Sequence, residues 1–206
     1  MRKKKIAFLI SLAWAIQLSL PVFADSPDTR LHFTSGEVVE GEKVYPYPEV
    51  EETVAVKQTD GTEQTYPLAT VAKIERFYTN GDLMSESYFQ NGKKEGIEKA
   101  YYKDGKWSEW PFRGGKLEGT VKFYFQNGQI KLEQPFKNDE KDGVEKEYYQ
   151  SGALERETSY KNGTEDGPFR YYYENGKLKT VATYQNGDVI HQERYDEAGN
   201  LIPRNQ

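Results

Sequence analysis

The chain has 206 residues, with 28 basic and 33 acidic side chains, 16 tyrosines and no cysteine. The absence of cysteine excludes disulfides, thiolate zinc sites, a cysteine nucleophile and a lipidated N-terminal cysteine. The net charge of −5 argues against nucleic-acid binding, because phosphate recognition needs a basic surface. A chain of this length provides one domain, or one domain with a small companion.

Residues 1–24 have the pattern of a secretory signal peptide. Arg2 and the three lysines after it form a basic start, residues 6–20 are mostly apolar, and the segment ends on the small residue Ala24. The apolar stretch is shorter than the ~20 residues that span a bilayer, so we expect cleavage after Ala24. Without those four basic residues the remaining chain carries a net charge of −9. We expect it to be extracytoplasmic, either periplasmic or secreted, without a transmembrane segment.

Residues 25–72 predict an N-terminal β segment that does not follow the pattern of the rest of the chain. Residues 31–39 and 54–66 each favour a hairpin, and Pro46 and Pro48 mark an irregular crossing between the two. Residues 66–74 offer a short last strand. This order fits either a small Sm-like or SH3-like barrel, or a cap over the open edge of the strands that follow.

Residues 73–206 contain about five and a half copies of a repeat of 23–24 residues. Each copy has an aromatic residue, a glycine three positions later and an apolar residue two positions after the glycine. The glycines of this first turn are Gly81, Gly105, Gly128, Gly152 and Gly176. A second turn follows within each copy, and in the first four copies a third glycine comes four residues after it. These third glycines are Gly96, Gly119, Gly143 and Gly167.

The turn residues predict that each repeat is a β-hairpin. Asn-Gly, Asp-Gly and Ser-Gly favour two-residue loops, because both central positions need positive φ. In the fourth copy such a loop pairs Tyr149 with Leu154 and places both on one apolar stripe with Tyr160. The expected fold is therefore all-β, an elongated antiparallel meander of stacked hairpins. The second copy lacks one residue between Gly105 and Phe112, which predicts a local change of register.

The residue before each stripe aromatic should point to the opposite face, and it is usually tyrosine. The candidate binding tyrosines are Tyr101, Tyr124, Tyr148 and Tyr172. A cation stands two residues before each of them, at Lys99, Lys122, Lys146 and Arg170. Tyrosines flanked by cations would suit an extended anionic partner, such as a glycan or an acidic peptide. The alternative is an ordinary solvated sheet face with weak cation–π contacts.

These residues resemble the MORN-type repeat in its bacterial variant, roughly Tyr-x-Asn-Gly-x-Leu followed by Tyr-x-Asn-Gly-Lys-x-x-Gly. The resemblance covers about residues 73–201, and residues 173–178 (Tyr-Glu-Asn-Gly-Lys-Leu) match the first half of the motif. The variant occurs in the YwqK-family antitoxins and in many exported proteins. It implies stacked β-hairpins with a binding or scaffolding role and without catalysis. The export signal departs from a cytoplasmic antitoxin.

The sequence contains no constellation of residues that predicts catalysis or metal binding. His32 and His191 are the only histidines and lie far apart, whereas a zinc site needs three or four ligands. The sequence has no Gly-x-Ser-x-Gly elbow and no phosphate loop. Residues 139–142 (Asp-Glu-Lys-Asp) gather hard oxygen ligands but lack a complete calcium loop. We therefore expect no enzymatic activity, no metal and no cofactor.

Two functional classes remain. The first is an exported, non-catalytic repeat protein that binds a protein partner or an envelope surface, with an antitoxin-like or immunity-like role included. The alternative is a cell-wall or glycan-binding module. Such modules usually have Gly-Trp at each repeat start, whereas the repeats here contain only Trp107 and Trp110, both in the second copy.

Overall fold

The structure is a computed structural model that describes residues 28–44, 53–58 and 60–203. The described residues form antiparallel β-strands and one 3-10 turn, so the all-β meander predicted from the glycine spacing is confirmed. The predicted signal peptide lies outside the described residues, as does the segment with Pro46 and Pro48.

Five strands and the 3-10 turn form the N-terminal segment. They are β1 (Asp28–Phe33), β2 (Val38–Val44), β3 (Thr53–Lys57), β4 (Glu63–Pro67), the turn (Leu68–Thr70) and β5 (Val71–Phe77). Strand β1 pairs with β2 and β5, and β3 pairs with β2 and β4. Because β1 covers one edge of β5 while β5 pairs with β6 on the other, these strands continue into the repeat sheet, which does not close into a barrel. The expected boundary between residues 72 and 73 falls inside β5.

The largest hydrophobic core lies where the N-terminal segment meets the first repeat. Leu31, Val56 and Ile74 are at most 1 % exposed, and Leu68 of the 3-10 turn packs with them. Phe89 of β6 joins the same cluster, so the first repeat hairpin is anchored to the N-terminal segment by apolar packing.

The repeats contribute the remaining strands, two long ones in each copy. They are β6 (Leu83–Gln90), β7 (Lys93–Lys94), β8 (Gly96–Tyr101), β9 (Trp107–Arg113), β10 (Lys116–Leu117), β11 (Gly119–Tyr124), β12 (Ile130–Lys137), β13 (Glu140–Lys141), β14 (Gly143–Tyr148), β15 (Leu154–Lys161), β16 (Thr164–Tyr172), β17 (Leu178–Gln185), β18 (Asp188–Tyr195) and β19 (Leu201–Ile202). The short strands β7, β10 and β13 follow the second turns and end two residues before a third glycine.

The two turns of each repeat have different geometries. The second turns are two-residue loops as predicted, with positive φ at both central residues, for example Asn162 (+48°) and Gly163 (+79°). In the first turns only the glycine has positive φ. In the fourth copy the N–H of Tyr149 donates to the carbonyl of Ala153 at 2.9 Å. The first turns are thus three-residue loops, and the predicted pairing of Tyr149 with Leu154 is wrong.

This shift by one residue changes which side chains share a face. Leu154 pairs with Tyr148 instead of Tyr149, after an irregularity at which Glu155 is left as an extra residue. The same β-bulge follows the first turns next to Phe77, Tyr124 and Tyr172. The second copy has no bulge, and Tyr101 pairs with Trp107 without a break in register. The residue missing from this copy is therefore the bulge residue, which explains the predicted change of register.

The two faces of the repeat sheet differ in composition. We call the face that bears Val121, Leu132 and Phe136 the core face, since these side chains are buried. Further along this face the buried residues become polar. Glu145, only 5 % exposed, accepts hydrogen bonds from Gln134 Nε2 at 2.9 Å and Lys141 Nζ at 2.6 Å. We call the opposite face, which bears Tyr101, Tyr124, Tyr148 and Tyr172, the tyrosine face.

Consecutive repeats are joined at their second turns by backbone hydrogen bonds. The N–H of Gly163 donates to the carbonyl of Lys141 at 2.8 Å, and Gly187 repeats this contact with Glu165 at 2.9 Å. An acidic side chain adds a second link, since Glu118 accepts the N–H of Asn138 at 2.9 Å. Each hairpin is therefore held to its neighbour by bonds that recur with the repeat.

Candidate binding surface on the tyrosine face

The four candidate tyrosines lie at the ends of strands β8, β11, β14 and β16, just before the first turns. All four are half-buried. Each pairs with an apolar residue at the start of the next strand: Tyr101 with Trp107, Tyr124 with Ile130, Tyr148 with Leu154, and Tyr172 with Leu178. The expected apolar stripe opposite the tyrosines is therefore wrong, because its leucine, isoleucine and tryptophan members lie on the tyrosine face. Together these side chains form what we call the aromatic row.

In the second copy Trp107 occupies this row between two tyrosines, since it pairs with Tyr101 on one side and with Tyr124 on the other. Its ring stacks on that of Tyr124, with centroids 3.7 Å apart and planes within 1°. Trp110 behaves differently, since it is 7 % exposed and packs edge-on against Phe123 on the core face. Within the described residues, the tyrosine face thus carries a single tryptophan.

The tyrosine hydroxyls are held by glutamates that the sequence analysis did not single out. Tyr124 donates to Glu109 at 3.0 Å, and Tyr148 donates to Glu133 at 2.9 Å. Burial, together with the adjacent carboxylate, raises the pKa of each of these two tyrosines to about 12. Burial followed by the charge of Glu157 also raises the pKa of Tyr172. These rings are therefore fixed, neutral groups at physiological pH.

The four candidate cations lie on the same face, in the middle of the strands, and each has a glutamate as a cross-strand neighbour. Lys122 pairs with both Glu109 and Glu133, and Lys146 pairs with Glu133. Lys99 pairs with Glu86 and Glu109, and Arg170 pairs with Glu157. Arg170 Nη1 lies 3.7 Å from a Glu157 oxygen. Because every cation is flanked by carboxylates, this surface is not a cationic track, which weighs against an anionic partner.

A third row, of mostly apolar side chains, lies on the other side of these charges. Ile97 pairs with Pro111, and Thr120 pairs with Pro135. Ile97 and Val144 are 46 % and 45 % exposed, which is high for large apolar residues. The tyrosine face is therefore a band of alternating charges between an aromatic row and an apolar row.

The period of the glutamates was the signal that could have identified them. Glu109, Glu133 and Glu157 are spaced by 24 residues, as are the tyrosines that they bind. The structure places these carboxylates between the candidate cations.

The other residues considered from the sequence have structural contacts. His32 Nε2 lies 2.7 Å from Glu75 Oε2. Burial raises the pKa of Glu75, but hydrogen bonds from Lys73 and His32 outweigh it, so the pKa is lowered. Asp139 accepts the N–H of Leu117 at 2.7 Å. Among the described residues no group of three or more His, Asp or Glu side chains is arranged to hold a metal ion.

A family model matches four segments of the chain. It is described as the MORN repeat variant, and it matches residues 72–91, 117–138, 141–162 and 165–186. The interval between the first two matches includes the copy that lacks the bulge residue. No curated protein gives a significant match to the chain. In the part of the chain that the structure describes, no helix has the length and apolar character needed to cross a membrane.

Proposed function

We propose that the protein is an exported, non-catalytic repeat protein that binds a protein partner through its tyrosine face. The observation that carries the proposal is the aromatic row: half-buried tyrosines recur in successive repeats on the face opposite the core. Tyrosine is enriched where protein surfaces associate, since it offers a large ring together with a polar group. The matched MORN repeat variant supports a repeat scaffold suited to binding.

The fixed geometry of the rings favours binding further. The hydroxyls of Tyr124 and Tyr148 are each hydrogen-bonded to a glutamate, so a partner would meet rings that are already ordered. Ordering side chains on association costs affinity, and rings that are ordered beforehand avoid that cost. The resemblance to the YwqK-family antitoxins extends the proposal to one class of partner, a toxin that the protein neutralises by binding.

The experiment compares capture by the mature chain and by two double variants. Tyr124→Ser with Tyr148→Ser removes two central rings of the aromatic row. The matched control is Gln126→Ser with Gln150→Ser, because both glutamines are exposed in the first turns of the same two repeats. A protein retained from envelope extract by the wild type and the control, but lost with the tyrosine variant at an unchanged melting temperature, supports the proposal. Equal capture by all three proteins would refute it.

The glycan-binding alternative has its own readout in the same experiment. The stacked pair of Trp107 and Tyr124 is the feature on this face most like a sugar platform. Sedimentation of the mature chain with insoluble cell-wall polysaccharide, abolished by Trp107→Ser, would favour a glycan ligand over a protein partner.

A further inference from the structure

The charged residues of the tyrosine face form a cross-strand ladder of alternating sign. In the order of neighbouring strands its members are Glu86, Lys99, Glu109, Lys122, Glu133, Lys146, Glu157 and Arg170. Each of these residues is the register partner of the next. Opposite charges on neighbouring strands stabilise the sheet itself. The order of the ladder also has a second property, which concerns another copy of the chain.

An alternating ladder with an even number of members is complementary to itself when it is reversed. A two-fold axis that passes between Lys122 and Glu133 places Lys122 of one copy opposite Glu133 of the second copy, and Glu133 opposite Lys122. The same axis sets Glu109 against Lys146, Lys99 against Glu157, and Glu86 against Arg170. We propose that the tyrosine face binds a second copy of this chain, face to face, with the two arrays antiparallel.

The orientation follows from the charges. A two-fold rotation about an axis parallel to the strands reverses the order of the ladder. It leaves the position of each row along the strands unchanged, so the aromatic row of one copy meets the aromatic row of the other. Rotation about the long axis of the array instead sets Glu109 on Glu109 and Lys122 on Lys122. Such like-charge contacts cost affinity, which selects the antiparallel arrangement. A C2 contact of this kind uses the same patch on both subunits and closes without forming a filament.

The size of the face is adequate for a dimer. Eight strands at ~4.8 Å spacing extend over roughly 40 Å, and the three rows are roughly 15–20 Å wide, which gives on the order of 700 Å² per copy. Stable interfaces bury about 800 Å² per partner. Packed sheets keep their strand directions within about 30° of each other, so the pairs nearest the axis meet most closely. The contacts of Lys122 with Glu133 and of Glu109 with Lys146 are therefore the decisive ones.

This inference rests on the proposed function, because it uses the same face and names its occupant. The test uses Lys146→Glu and Glu109→Lys, measured singly and mixed by sedimentation equilibrium. Each single variant would place like charges opposite each other twice, so we expect its dimer dissociation constant to rise about tenfold or more. Mixing the two variants restores every opposite-charge contact in the heterodimer. Glu109 and Lys146 are not register partners within one chain, so this rescue would report contact between two chains.

The controls distinguish pairing of specific ladder residues from a general effect of net charge on association. Lys146→Glu mixed with Glu133→Lys should not rescue association, because two like-charge contacts remain in that heterodimer. Lys116→Glu, an exposed residue outside the ladder, should leave the dimer intact. If the ladder variants fold poorly, the wild type still tests the proposal. Carbodiimide cross-linking of mixed light and heavy-isotope chains should join Lys146 to Glu109 between copies.

A monomeric wild type at high micromolar concentration, or rescue by the mismatched pair, would overturn this inference. Its failure is distinguishable from failure of the proposed function. A monomer whose aromatic row still captures another protein refutes the second copy as occupant and leaves the proposed function standing. A dimer that is insensitive to the ladder substitutions shows that the chain associates elsewhere, and it also overturns the inference.

Discussion

Substitution of Gly143 by alanine tests how the third glycines shape the repeats. Gly143 has φ of +122°, and a Cβ atom there would lie 3.0 Å from Cγ of Pro135. A side chain in this region of backbone space costs on the order of 1–3 kcal/mol, and displacing a packed proline ring adds about 1 kcal/mol. We therefore expect Gly143→Ala to lower the free energy of unfolding by about 3 kcal/mol.

Gly96 provides a control at the same place in another repeat. Its φ is +88°, and a Cβ atom there would meet nothing within 4 Å. Gly96→Ala should therefore cost only the left-handed backbone strain, about 1–2 kcal/mol. Urea unfolding followed by far-UV circular dichroism gives both values from the midpoints and slopes. Equal losses of unfolding free energy in the two variants would show that the close contact with Pro135 adds no cost at position 143, and would refute the reasoning.

Three further outcomes follow from the packing and the hydrogen bonds. Val121→Ala should cost about 2 kcal/mol because Val121 is fully buried, whereas Val144→Ala, on the exposed face, should stay within about 0.5 kcal/mol in the same urea melts. Glu118→Ala should cost about 1 kcal/mol by removing the acceptor for the next repeat's turn, and Glu118→Gln should cost less. The pKa of Tyr148 is near 10 in the unfolded chain and is raised to about 12 in the fold. The resulting stabilisation is fully present below pH ~10 and is lost as the pH rises towards about 12. The melting temperature should therefore fall over this range, and less steeply in Glu133→Gln.

The number and order of the repeat hairpins could be predicted from sequence because glycine spacing is a local signal. The type of the first turn could not. Asn162-Gly163 forms a two-residue loop, whereas Asn127-Gly128 belongs to a three-residue loop in which the Asn127 side chain accepts the N–H of Gln129 at 3.1 Å. The same dipeptide fits both geometries, and the choice depends on hydrogen bonds that the dipeptide alone does not specify.

Because the first turn was assigned the wrong type, the predicted pairing of residues next to that turn was wrong by one position. The tyrosines and cations were correctly assigned to one face, because they are separated by two residues along each strand. Their apolar neighbours were assigned to the other face, because the loop was one residue too short in the prediction and the bulge at Glu155 was not anticipated. The bulge restores the predicted register beyond it, since Glu147 pairs with Arg156, so only the residues between the turn and the bulge change face. Glu109, Glu133 and Glu157 were missed although their 24-residue period is visible in the sequence, because their role depends on the register between strands.

The uneven core has a consequence for the order in which the molecule opens. Among the described residues from 137 to 203, Ala182 is the only buried apolar side chain, and the other buried positions are Glu145, Thr158 and Thr180. The apolar clusters lie between Leu31 and Phe136. Because each hairpin is bonded mainly to its neighbours, loss of the last hairpin leaves the earlier ones intact. Opening should therefore start at the C-terminal repeats and travel towards the N-terminal segment, so that the array comes apart in one direction.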